Sequence, residues 1–113
     1  MKEVEKVIIV EGKSDKQKIA SIIKEPVEIV CTNGTISLTK LDELIDEFHD
    51  KEVYILVDSD DSGDKLRKQF MREFPQAEHL YVDRSYREVA TAPMSHLATV
   101  LVGANIDIYT EYL

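Results

Sequence analysis

Four short runs rich in apolar and β-branched residues, each separated from the next by a helix-periodic segment, constrain this chain more than any other feature. The first is Lys6 to Val10, the second Val27 to Cys31, the third Val53 to Val57, and a fourth lies near His79 to Val82. Continuous apolar runs of this length suit strands buried on both faces of a parallel sheet. Between the first two, Ser14 to Lys24 places Ile19, Ile22 and Ile23 on one helical face and leaves Lys16, Lys18 and Lys24 for water, with Ser14 as N-cap and Pro26 as the stop. A second helix is predicted over Leu38 to Phe48, a third over Ser62 to Phe74 and a fourth over Pro93 to Val102. Ile106 to Leu113 reads as a short strand or a docked tail.

Strand-helix alternation of this kind gives a three-layer α/β domain with a mainly parallel sheet of four strands. At 113 residues, 43% hydrophobic and 32% charged, the composition supplies one ordinary core, so residues 1–113 are read as a single domain. Cys31 stands alone, which excludes an intrachain disulfide or a multi-cysteine zinc site and suits a reducing compartment. Met1 to Lys6 alternates charge, and no run approaches the ~18 apolar residues of a membrane span. The expectation is a cytoplasmic protein with no membrane partner.

Open parallel sheets place ligands at the carboxyl ends of their strands. There the first strand delivers Glu11-Gly12 and the third delivers Asp58-Ser59-Asp60-Asp61-Ser62-Gly63. For Glu11 and Asp58 to meet, those strands must be neighbours, which predicts the order 2-1-3-4. Crowded carboxylates repel one another unless a cation sits among them. Hard oxygen donors without a nearby thiolate or clustered imidazole favour Mg²⁺, with Mn²⁺ as the alternative, over zinc. Gly12 and Gly63 are read as letting backbone approach the metal or a phosphate closely.

The sequence Val10-Glu11-Gly12-Lys13-Ser14-Asp15, then Asn33-Gly34-Thr35, then Asp58-Ser59-Asp60 with Gly63, resembles the Toprim domain of topoisomerases, bacterial primases, recombination proteins and small nucleases. The resemblance covers roughly residues 4 to 82 and implies a Rossmann-like sheet. It also implies that Glu11 acts as general acid/base or metal ligand in phosphodiester chemistry, and that Asp58 and Asp60 coordinate Mg²⁺. Read as a single domain, these residues are not expected to supply a topoisomerase's tyrosine nucleophile or a primase's accessory modules. The chain looks most like small stand-alone Toprim proteins related to the ribosomal-RNA-maturing nuclease, whose further C-terminal region it mostly lacks.

These residues point to a Mg²⁺-dependent nuclease of RNA or DNA, with Glu11 moving a proton and Lys13 neutralising a phosphate oxygen. The alternative is a non-catalytic, metal-dependent nucleic-acid-binding module or a subunit of a larger complex. A phosphoacceptor receiver domain fits less well, because Glu11-Gly12 replaces an acidic pair and no Lys follows a fifth strand. With 14 Lys+Arg against 22 Asp+Glu the net charge is -8, so a nucleic acid must be held by a local basic surface or a bound cation. Candidates for that surface are Lys13, the loop at Gly34, and Lys65, Lys68 and Arg72 at i, i+3 and i+7 on the third helix, with Arg84 and Arg87 as a second contact. Tyr54 and Tyr81 are read as packing residues within strands.

Overall fold

The computed structural model describes residues 4–113; Met1, Lys2 and Glu3, part of the charge-alternating start, lie outside the described residues. Four strands, β1 (Lys6–Val10), β2 (Val27–Cys31), β3 (Glu52–Val57) and β4 (Glu78–Tyr81), form one sheet in the order β2-β1-β3-β4. Every pairing is parallel, with Ile9 opposite Val30 on one side and Ile55 on the other. The predicted strand order is the observed one.

Alternation along β1 and β3 divides the core into two layers. Ile8, Val10, Tyr54 and Leu56 face α1 (Lys13–Ile22) and α4 (Met94–Gly103), while Val7, Ile9, Val53, Ile55 and Val57 face α2 (Leu38–Phe48) and α3 (Asp61–Glu73). Both faces are covered, which is why β1 after Lys6 and β3 after Glu52 are apolar without a break. The helices bury the stripes their spacing offers: Ile19 and Ile22 on α1, Leu41, Leu44 and Phe48 on α2, Leu66 and Phe70 on α3.

Three local readings change. Helix α1 is capped at Gly12 and not at Ser14, because the Asp15 carboxylate turns back to accept the Gly12 N–H at 3.2 Å. Lys18 does not stay in water: it lies half-buried and donates to the carbonyls of Val89, Ala90 and Ala92, pinning the loop after β4 against α1. The C-terminal residues resolve as a docked tail. Ile108 forms a single antiparallel bridge to Ile23, and a 3₁₀ turn follows at Thr110–Tyr112.

Candidate functional site

At the carboxyl edge of the sheet the two central strands bring their acidic residues into direct contact. Glu11 leaves β1 and accepts the backbone N–H of Asp58, the first residue past β3, on Oε1 at 2.8 Å. Asp58 in turn accepts the Val89 N–H on Oδ1 at 2.8 Å. Val89 belongs to the loop that Lys18 clamps, so α1 indirectly orients Asp58. Asp60 caps α3, its Oδ1 accepting the Gly63 N–H at 2.8 Å. Each of these carboxylates thus has one oxygen committed to a backbone N–H and a second oxygen for other partners.

Burial raises the affinity of Glu11 and Asp58 for protons. For Glu11 the neighbouring charges of Asp58, Asp60 and Asp15 add to that effect, and the N–H from Asp58 opposes it. For Asp58 the added charges are Asp15, Asp60 and Glu88, and the N–H from Val89 opposes them. Asp15, only 6% exposed, is shifted upward for the same main reason. Uncompensated negative charge and hard oxygen donors suit a divalent cation. Among the described residues no three carboxylate, imidazole or thiolate groups are clustered as a ready-made metal centre. Mg²⁺ is commonly held by only one or two carboxylates, with water and substrate phosphates completing its octahedron, so the donors present fit that ion.

Gly63 has a different role from the one its sequence position suggested. A Cβ there would stand 1.9 Å from the Asp58 carbonyl oxygen, so the close approach it permits is between the start of α3 and Asp58 itself. The helix therefore begins directly against the strand end. Gly34 has φ 103°, a left-handed conformation that suits glycine, and follows Asn33, whose N–H donates to the Glu11 carbonyl at 2.8 Å. The Asn33-Gly34 loop is thereby fastened beside Glu11, while Lys13 opens α1 with its side chain exposed.

The basic residues separate into two groups. Lys65, Lys68 and Arg72 are exposed along α3, but Arg72 lies roughly 16 Å along the helix axis from its first residue and pairs with Glu73 at 3.0 Å. Only the N-terminal part of that row lies near the carboxylates. Arg84 and Arg87, in contrast, line a cleft of about 770 Å³ together with Asp60, Asp61, Arg67 and Tyr81. The Arg87 carbonyl accepts the Ser59 N–H at 2.6 Å, tying this loop to the segment between Asp58 and Asp60.

Arg67 carries the structural role that the sequence reading missed. It is 4% exposed and donates to the carbonyls of Val57 at 3.2 Å and Leu80 at 2.7 Å, bridging β3 to β4. Its guanidinium also lies 4.1 Å from the Tyr81 ring centroid and 3.2 Å from His79 Nδ1. Helical spacing did carry a signal: Arg67 follows Leu66 and precedes Phe70 by three, on the edge of the buried stripe. Tyr81, read as a packing residue, is instead 56% exposed because β4 is the sheet's edge strand, whereas Tyr54 in central β3 is buried as expected.

The Toprim domain model matches residues 6–91. The Bacillus subtilis protein YusF is 62% identical over 113 residues, covering 100% of this chain and 77% of its own length. Ribonuclease M5 of Mycoplasma mycoides is 38% identical over 69 residues, and ribonuclease M5 of Fusobacterium nucleatum 31% identical over 88. The aligned parts cover 60% and 74% of this chain but only 39% and 45% of those enzymes. A solved small TOPRIM domain protein from Bacillus stearothermophilus superposes with a TM-score of 0.96 at 61% identity, covering 98% of this chain and 94% of that one.

Proposed function

The chain belongs to the Toprim family, and from that premise we propose that it is a Mg²⁺-dependent nuclease acting on nucleic-acid phosphodiesters. The observation that carries the proposal is the contact of Glu11 with the Asp58 backbone at the ends of adjacent parallel strands, with Asp60 two residues on. The name ribonuclease M5 among its relatives makes RNA the first substrate to test.

In this reading Glu11, Asp58 and Asp60 hold the metal, with Mn²⁺ able to substitute. When bound, the ion neutralises charge on the oxygens of the reacting phosphate. Glu11, half-buried and held by a single backbone N–H, moves the proton to or from the attacking oxygen. Lys13, exposed at the start of α1, takes a non-bridging phosphate oxygen, and the Gly34 loop flanks the entering strand. Lys65 and Lys68 on α3 and, more distantly, Arg72 offer screened attraction to the flanking backbone.

A second reading keeps the same site for metal-dependent nucleic-acid binding without turnover. It is favoured by the short span of this chain relative to the ribonucleases, which leaves the rest of those enzymes without a counterpart in the matched region. The two readings separate in a cleavage panel of structured RNAs, single strands and duplex DNA incubated with Mg²⁺, Mn²⁺ or EDTA. Metal-dependent product formation is expected. Metal-dependent binding of the same molecules without product would install the second reading instead.

A further inference from the structure

We propose that Tyr81, backed by Arg67, is a stacking platform for one unpaired base of the bound strand, with Arg84 and Arg87 taking the adjoining phosphates. This inference rests on the nucleic-acid reading above and names the class of strand the site selects: one with an unpaired nucleotide beside the reacting phosphate. Tyr81 is an aromatic on an edge strand, 56% exposed, where a ring needed only for packing would be covered. One face of the ring lies against the Arg67 guanidinium, 4.1 Å from the centroid, so its exposure falls on the opposite face and the rim.

The ring rests on a fixed support. Arg67 is itself buried and fixed by carbonyls from β3 and β4, so the guanidinium on which the ring rests is an anchored support that favours this ring orientation. A pre-set ring loses little freedom when a base lands on it. Around it the cleft of about 770 Å³ runs from Asp60 to Arg84 and Arg87, a volume within the range of small-molecule sites. Its charges are divided: Asp60, Asp61 and Asp64 come from the Asp58–Asp64 segment, and Arg84 and Arg87 from the loop after β4. A phosphodiester backbone is therefore directed along the arginine side, which brings the base of the same nucleotide toward Tyr81. A base inside a duplex is stacked on its neighbours and cannot use the ring.

The test measures equilibrium binding in Mg²⁺ by fluorescence anisotropy, on the Glu11→Gln background so that strands persist. The probes are a short labelled single strand and the same strand annealed to its complement. Tyr81→Leu, which retains apolar bulk without a π face, is expected to weaken single-strand binding about tenfold and leave the duplex within twofold. Tyr81→Phe, which keeps the ring over Arg67, is expected to retain single-strand affinity. Circular dichroism of each variant controls for the fold. Unchanged single-strand affinity in Tyr81→Leu, or equal losses for both probes, would overturn the platform while leaving the nuclease reading intact. No binding of either probe, together with no metal-dependent cleavage by the wild type, would overturn both.

Discussion

The carboxylate wall, at the strand ends, and the arginine wall, in the cleft beside it, are built by different means. In the carboxylate cluster Glu11, Asp58 and Asp60 each accept a backbone N–H at 2.8 Å, each sits at a strand end or helix start that the packed core fixes, and Asp60 also lines the cleft. On the arginine wall Arg84 and Arg87 are exposed side chains on a loop, and Arg87 adopts a positive φ of 59°. Only Arg67, beneath them, is locked. Under the proposed nuclease function, the difference puts rigid geometry at the end where atoms must be placed for reaction and adaptable charge at the end that grips a strand. It also explains how a chain of net charge -8 can meet a polyanion. The negative charge near the site is what a cation requires, and the arginines are gathered beside it.

If the carboxylate wall is the reacting end, Glu11→Gln should lower the cleavage rate by about 10²–10⁴-fold. Its unfolding midpoint should be unchanged or raised, because partial burial disfavours the half-buried Glu11 carboxylate, Asp58, Asp60 and Asp15 repel it, and the amide oxygen still accepts the Asp58 N–H. A comparable loss of stability would mean that Glu11 serves the fold. Gly63→Ala should be the most damaging change to that wall's structure, costing about 3 kcal/mol in urea unfolding, since its Cβ meets the Asp58 carbonyl at 1.9 Å. A near-neutral result would show that the start of α3 can shift away from the strand end.

Arg67→Met removes the one locked cation of the other wall and leaves the Val57 and Leu80 carbonyls without that donor. A loss of about 2 kcal/mol is expected by urea unfolding. Arg84→Ala and Arg87→Ala should each weaken strand binding several-fold and reduce the salt dependence by about one counterion. Neither should change the unfolding free energy by more than about 0.5 kcal/mol. If these two changes destabilised the fold as Arg67→Met does, the contrast between a fixed wall and an adaptable one would collapse.

How much of this was legible from the sequence follows from how locally each feature is specified. Strand order was legible because Glu11 and Asp58 end the two most apolar runs and can meet only if those runs are neighbours. Asp60 was legible as a carboxylate of the Asp58-Ser59-Asp60 run, whereas its cap on α3 was not, because the helix start was placed at Ser62. Arg67 and Tyr81 were not, since their roles depend on β4 lying at the edge beside α3, a contact between segments that no local spacing encodes. Lys18 looked like a solvated helix lysine because the three carbonyls it serves lie more than seventy residues away in sequence. Asp15 was visible in the motif, but its turn back to the Gly12 N–H required the cap geometry to be seen.

Single-turnover cleavage measured against protein concentration in Mg²⁺ tests the division of labour most directly, with wild type, Glu11→Gln and the Arg84→Ala/Arg87→Ala pair compared on one RNA. The expected result is that Glu11→Gln lowers the plateau rate by about 10²–10⁴-fold at a similar half-saturating concentration. The arginine pair should raise the half-saturating concentration about tenfold or more and leave the plateau within about twofold. Equal plateaus for wild type and Glu11→Gln would contradict the assignment of the reacting end.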